Sequence, residues 1–134
     1  MIQSQRNKYL ESTVQTATPA QLLIMLCDGA IRFCRMGIEA IKSNNNQDAN
    51  QHLVRVQDII SEFVITLDMS SPVSDSLSKL YEYFKARLIE ANVKKDAAPV
   101  EEVLGYLIEL KETWIQAARL ANASASQAGV ATHG

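Results

Sequence analysis

Glycine, proline and a surplus of one charge are all scarce in this chain of 134 residues, which has five glycines, three prolines and a formal net charge of −2. So small a net charge produces no field that would attract nucleic acid or an anionic membrane surface. We therefore expect no nucleic-acid partner. Because glycine and proline interrupt helices most strongly, their scarcity favours long helical segments.

A long apolar run is also missing. The longest one, residues 22–27, ends at Asp28, far short of the roughly 20 residues that span a bilayer. The first residues, MIQSQRNKYLES, lack the apolar stretch of a secretory signal peptide. We therefore expect an unprocessed chain that is not inserted into a membrane.

Residues that could carry catalysis or bind a metal are few. Cys27 and Cys34 lie seven positions apart, roughly 10 Å along a helix, which is too far for a disulfide within it. We interpret both as buried small hydrophobes. With no C-x-x-C pair and only His52 and His133 as histidines, we predict no metal site and no catalytic residue. No glycine-rich phosphate loop is present, so we expect no cofactor.

Helix signals divide most of the chain into four segments. Thr18 and Gln21 form a capping box, and Asn46 with Asp48 marks a second start. All three prolines, at positions 19, 72 and 99, are predicted to occupy first helical positions, where a missing N–H loses nothing. The predicted helices are 19–42, 47–67, 73–93 and 99–122. Their short connections predict an all-α, antiparallel four-helix bundle.

The two ends of the chain lack this pattern. Residues 1–18 are mostly polar, and we predict an N-terminal arm there, followed by a bundle at 19–122. The last stretch, ASASQAGVATHG, is rich in small residues, so residues 123–134 are predicted to form a disordered tail.

The first predicted helix has more apolar surface than one packing face uses, because its polar residues fall within about 80° of the circumference. One explanation is a central helix, packed by neighbours on three sides. The other is that part of this surface, with Ile59 and Ile65 of the second helix, forms a groove for an amphipathic partner helix. The pattern leaves both open. Gly29, inside the first helix, predicts a close approach by another backbone.

Three blocks resemble a known family. The blocks TATPAQLLIMLCDGAIR, DANQHLVRVQDIISEF, and LYEYFKARLIEANVKKD with EEVLGYLIEL and Trp114 are similar, in order and spacing, to the helices of the flagellar secretion chaperone FliS. The resemblance extends to Ala118. One departure is Cys27, where the family commonly has an aromatic residue.

The resemblance implies a function and a partner. Family members are cytoplasmic, non-enzymatic bundles that bind the C-terminal segment of flagellin in apolar grooves. They prevent premature polymerisation and keep flagellin competent for flagellar type III secretion. They also help to dock this cargo at the export gate, and some relatives bind other flagellar regulators.

Site residues follow from the same resemblance. Tyr9 stands where the family has an aromatic residue in its N-terminal arm, which lies in the cargo groove when flagellin is absent. Arg87 and Asn92 are interpreted as braces of the bend between the last two helices rather than as cargo contacts. The predicted groove residues are Leu22, Met25, Ile59, Ile65, Leu80 and Tyr83.

Two other functions are compatible with a helical bundle. A histidine phosphotransfer domain would use His52, although the residues after it lack the Lys-Gly pair usual in such domains. A helical oligomerisation module would self-associate and would not respond to flagellin.

Overall fold

In a computed structural model, described for residues 18–133 with side chains up to residue 124, the protein is entirely helical. The helices are α1 (Pro19–Lys42), α2 (Asn46–Ile65), α3 (Ser74–Lys94) and α4 (Ala97–His133). Each helix packs on the next, and α4 returns to pack on α1, which closes a ring of four. The predicted four-helix bundle is confirmed.

Contacts between helices show that neighbours run antiparallel. Asp28 of α1 pairs with Lys111 of α4, whereas Lys42 pairs with Glu101, so residue numbers fall along α4 as they rise along α1. The same reversal relates α1 to α2, α2 to α3, and α3 to α4.

The starts of α1 and α2 are fixed by side-chain caps. In α1 the predicted capping box is confirmed, because the Thr18 amide donates to Gln21 Oε1 at 3.0 Å and the Gln21 amide donates to Thr18 Oγ1 at 3.2 Å. The α2 cap is Asn45, one residue before the predicted Asn46, and its Oδ1 accepts from the Asp48 amide at 3.1 Å. Asn44 has a left-handed φ of 57°, which reverses the chain direction just before the cap.

We had predicted that the other two helices begin at their prolines, and this prediction is wrong for both. Helix α3 begins at Ser74 because Pro72 lies in a turn in which the Ser74 amide donates to the Ser71 carbonyl at 3.2 Å. Helix α4 begins at Ala97 because Asp96 Oδ1 accepts from the Ala98 amide at 3.0 Å. The third proline is thus inside the first turn of α4, where its missing N–H is still harmless.

Helix α4 is longer than predicted. It is described to His133, past the end that we had predicted at residue 122. Residues 121–124 are exposed, so no burial supports the helix there. The alanine content of this stretch favours helix by intrinsic propensity, which an argument from apolar periodicity does not detect.

The core is built from large side chains of three helices and small residues of α1. Phe63 of α2 stacks on Tyr81 of α3, with ring centroids 5.2 Å apart. The remaining large, fully buried side chains are Leu53, Val56, Ile60, Phe84, Leu88, Val100, Val103 and Leu107. Helix α1 faces them with Cys27, Ala30, Cys34 and Gly37, which allow its neighbours to approach closely.

The close approach of another backbone that we had predicted at Gly29 is not found among the described residues; the tightest contact is at Gly37, about two turns further along α1, and is made by a side chain. A Cβ built on Gly37 would lie 2.9 Å from Leu53 Cδ2, closer than real carbon atoms approach. A Cβ on Gly29 would lie 3.4 Å from Ile59 Cδ1, which is ordinary contact. Gly37 is therefore the residue that sets the spacing between α1 and α2.

Both cysteines are free and buried, as predicted. Burial raises the pKa of the Cys34 thiol to about 12, and burial, with the nearby Asp28 charge, raises the pKa of Cys27 to about 12. Neither thiol therefore forms a reactive thiolate near neutral pH.

Candidate functional site: the grooves beside α3

The surplus apolar surface of α1 is mostly covered by its two neighbours. Helix α1 packs more extensively on α2 and α4 than α3 does on the same two helices. Met36 is the one large apolar side chain of α1 that stays exposed. Spare apolar surface therefore lies mainly elsewhere, beside the more loosely packed α3.

One groove lies between α2 and α3 and is called the α2–α3 groove. At one end Asn92 Nδ2 of α3 donates to Asn50 Oδ1 of α2 at 2.8 Å. Val54 and Val64 share a helical face with Asn50 and are 41% and 40% exposed. Ile89 lies one turn before Asn92 on α3 and is 51% exposed. Apolar side chains thus flank this seam without covering one another.

A second groove, the α3–α4 groove, is bordered by tyrosines. Tyr83 of α3 and Tyr106 of α4 are 42% and 41% exposed. The Tyr83 hydroxyl donates to Glu102 Oε1, and Arg87 Nε donates to the same oxygen at 3.3 Å. The hydrogen bond to Glu102 raises the pKa of Tyr83. Because Glu102 is on α4, this network fixes the Tyr83 ring against the neighbouring helix.

Apolar side chains also cluster at the connection between α2 and α3, here called the loop-end patch. Ile65, Met69 and Val73 are 74%, 75% and 59% exposed. Beside them lies a cavity of about 200 Å³ lined in part by Leu23 and Trp114. The Trp114 Nε1 atom is buried and has no hydrogen-bond partner among the described residues.

The predicted groove residues do not converge on one channel. Ile59 packs at the α1–α2 seam against Gly29, and Leu22 and Met25 are half-buried residues of α1. Leu80 and Tyr83 lie on α3, Tyr83 bordering the α3–α4 groove, and Ile65 belongs to the loop-end patch. Tyr9 lies outside the described residues. The predicted set is thus distributed around the bundle.

Several exposed apolar residues were missed by the sequence analysis. Val93 is 78% exposed, and Ile89, Tyr106 and Met69 also remain uncovered. The signal was available: on α3, Ile89 and Val93 are apolar residues left over once the core positions are assigned by helical spacing.

Arg87 joins the last two helices, in line with its inferred bracing role, whereas the cross-helix contact of Asn92 is with α2 rather than α4. Arg87 joins α3 to Glu102 of α4 and also pairs with Glu90 at 2.6 Å. Asn92 connects α3 to α2, and its Oδ1 accepts from Lys95 Nζ at the left-handed end of α3.

His52 is not presented as a free surface imidazole. Its ring is half-buried and stacks on Phe33 of α1, with centroids 6.1 Å apart. Within the described part of the chain, no group of His, Cys, Asp and Glu side chains is arranged to hold a metal ion. Between residues 18 and 133, no helix is both long enough and apolar enough to cross a membrane.

Comparison with known proteins identifies the family of this bundle. The model of the family described as "Flagellar protein FliS" matches residues 1–121. The chain belongs to the FliS family. It is 35% identical over 116 residues to the flagellar secretion chaperone FliS of Bacillus subtilis, covering 87% of each chain. It is 32% identical over 110 residues to the FliS of Salmonella typhimurium, covering 80% of this chain and 82% of the relative.

A FliS of Escherichia coli is also similar, at 31% identity over 108 residues, covering 78% of this chain and 79% of the relative. These relatives are named as chaperones, so this chain belongs to a family of secretion chaperones, which are not enzymes. A chaperone acts through its binding surface, which directs attention to the exposed apolar side chains beside α3.

Proposed function

We propose that this protein is a cytoplasmic export chaperone for flagellin. It binds the C-terminal segment of flagellin in apolar grooves, prevents premature polymerisation and keeps the subunit competent for flagellar type III secretion. The observation that carries this proposal is the uncovered apolar surface on both sides of α3, in a chain of a secretion-chaperone family. Docking at the export gate and contact with other flagellar regulators are part of the same proposal.

The grooves suit a partner that folds as it binds. An amphipathic segment can place its apolar face between two helices and bury both apolar surfaces together. The α2–α3 groove offers Val54, Val64 and Ile89, while the α3–α4 groove offers the rings of Tyr83 and Tyr106. Because the two grooves flank one helix, a single segment with a bend could occupy both.

Binding of this kind is firm but reversible. Coupled folding and binding typically buries on the order of 1,000–3,000 Å² and loses several kcal/mol to ordering of the partner. Release then requires only a competing surface, without nucleotide hydrolysis.

We propose that the remaining predicted residues contribute to cargo binding from outside the two grooves. We propose that Leu22, Met25 and Ile59 contribute at the α1–α2 seam, Leu80 beside Tyr83, and Ile65 in the loop-end patch. Tyr9 is proposed to compete with cargo as part of the N-terminal arm. Replacing Tyr9 by Ala should then change cargo affinity and leave the melting temperature nearly unchanged. A loss of many degrees would assign Tyr9 to the core instead.

Size-exclusion chromatography with two forms of flagellin tests the cargo assignment. Full-length flagellin should co-elute with this protein, and flagellin that lacks its C-terminal segment should not. Equal binding of both forms would defeat the proposal. Self-association of the protein alone, unaffected by flagellin, would favour the oligomerisation module.

A matched pair of variants tests the location of the site. Ile89→Glu places a charge in the α2–α3 groove, whereas Leu120→Glu places the same charge on α4, where Leu120 is 69% exposed and lies outside both grooves. We expect Ile89→Glu to weaken flagellin binding by about tenfold or more, since a buried unpaired charge is costly. Leu120→Glu should bind like the unmodified protein.

A further inference from the structure

A separate depression lies on the side of the ring opposite the α2–α3 groove. It has a volume of about 400 Å³ and follows the seam between α1 and α4, with Ile31, Met36 and Ile108 among its lining residues. We call it the α1–α4 groove. Met36 and Ile108 are 41% and 39% exposed, so the described residues leave these apolar side chains uncovered.

Cross-helix ion pairs fix the shape of this seam. Lys111 Nζ contacts Asp28 Oδ1 at 2.6 Å, and the hydrogen bond to Asp28 raises the pKa of Lys111. Further along, Lys42 Nζ lies 3.5 Å from Glu101 Oε1. The lining of the depression on α1 runs from residue 28 to residue 36, a rise of about 12 Å or roughly two helical turns. The groove therefore accommodates a short stretch of one helix.

The α1 edge of the groove is positively charged. Arg32 and Arg35 both line it, and neither forms an ion pair with a described residue. The Arg32 guanidinium carbon lies 5.1 Å from the centroid of the Phe33 ring, which holds the cation over an aromatic face. Asp28, one turn before Arg32, is already paired with Lys111, while Glu39 lies one turn after Arg35 and Glu112 lines the α4 side, so the positive charge is confined to Arg32 and Arg35.

Gly105 lies on α4 one turn before Ile108, next to the residues that line the groove, and none of the described residues requires a glycine there. Gly105 lies in the helix interior, on one stripe with Glu101, Ile108 and Glu112. Its φ is not positive, and a Cβ built on it would meet nothing within 4 Å. Glycine disfavours helix, so internal structure gives no reason for its presence. A close approach by a partner backbone would require it.

We infer that the α1–α4 groove docks an acidic amphipathic helix of a second protein, independently of flagellin. Its apolar face would cover Met36 and Ile108, its acidic edge would face Arg32 and Arg35, and a small residue would face Gly105. Charge complementarity of this kind fixes the orientation of the partner.

Fluorescence anisotropy with the full-length protein and a designed peptide tests the inference. The peptide is a capped helix of about 18 residues, with leucine on one face, glutamate on one edge and alanine on the other. It should bind saturably, and a version with lysine in place of glutamate should bind about tenfold more weakly or worse.

Variants of the protein then locate the binding site. Arg32→Glu/Arg35→Glu should weaken binding by about tenfold or more. The control, Arg55→Glu/Arg119→Glu, makes the same change in net charge at exposed arginines outside the lining of the groove and should leave binding unchanged. Gly105→Gln should raise the melting temperature and yet abolish binding, which a merely structural role for Gly105 would not produce.

The inference would be overturned if the acidic peptide did not bind, or if both double-arginine variants lost peptide affinity equally. It would also be overturned if the C-terminal segment of flagellin displaced the peptide, or if the free protein were a dimer that Arg32→Glu/Arg35→Glu converts to a monomer. Displacement would assign the groove to cargo, and the dimer result would assign it to self-association. Because the probe is not flagellin, failure here leaves the proposed chaperone function untouched.

Discussion

The same substitution, glycine to alanine, should have opposite effects at two positions of this bundle. Gly37 and Gly105 both lie inside helices, so alanine gains about 1 kcal/mol of helix propensity at either site. Their surroundings differ. A Cβ at residue 37 would lie 2.9 Å from Leu53 Cδ2 and 3.4 Å from Leu53 Cγ, whereas at residue 105 it would meet nothing within 4 Å.

The magnitude depends on whether Leu53 can move. Its side chain is fully buried, so neither a new rotamer nor a shift of α2 away from α1 is free of cost. Inserting a methyl group into a well-packed core typically costs about 1–3 kcal/mol. Subtracting the propensity gain, we expect Gly37→Ala to destabilise the fold by about 1 kcal/mol and Gly105→Ala to stabilise it by about 1 kcal/mol.

Urea denaturation followed by far-ultraviolet circular dichroism measures both effects. The free energy of unfolding should be lower than that of the unmodified protein for Gly37→Ala and higher for Gly105→Ala. The two variants should differ by about 2 kcal/mol, with unchanged m-values. A Gly37→Ala variant as stable as Gly105→Ala would refute the reasoning, because it would mean that α1 and α2 are not in close contact at Leu53.

Three further predictions concern individual side chains. Because burial raises the pKa of Cys34 from 9.0 to about 12, its contribution to stability is present below pH 9 and is lost as the pH rises towards 12. Cys34→Ala should flatten that alkaline decline in urea midpoints, and an unchanged slope would contradict the assignment. Trp114→Phe should cost at most about 1 kcal/mol, since it removes a buried N–H without a partner; a much larger loss in thermal melting would reveal a hidden acceptor. Glu102→Gln should lower the pKa of Tyr83 towards its ordinary value, because the carboxylate that accepts its hydrogen bond is lost, and a tyrosinate absorbance titration unchanged from the parent would disprove that contact.

Much of the fold is predictable from sequence, because each helix keeps its apolar residues on one face. Leu53, Val56, Ile60 and Phe63 recur at spacings of three and four residues, which is the pattern of one helical face, and all four are fully buried. Helix starts were less predictable. For α2 and α4 the start depends on which nearby side chain accepts a hydrogen bond from the first turn. Asn45 and Asp96 do so, and both precede the residues that the sequence signals had favoured.

The candidate site was harder to predict than the fold. The apolar excess on α1 was compatible both with a central helix and with spare surface, and its small residues let α2 and α4 come close enough to cover most of it. The uncovered surface is beside α3, whose leftover residues Ile89 and Val93 carried a weaker signal. Which face of a helix is covered depends on how tightly its neighbours pack, and spacing along one helix does not encode that distance.

Backbone amide chemical-shift mapping with a peptide of the flagellin C-terminal segment tests the central claim most directly. If the segment binds beside α3, the largest changes should fall along the facing edges of α2, α3 and α4, around Val54, Ile89 and Tyr106. Arg35, on the α1–α4 side, should shift little. Saturable binding with changes confined to the α1–α4 side, or no changes at all, would contradict the account.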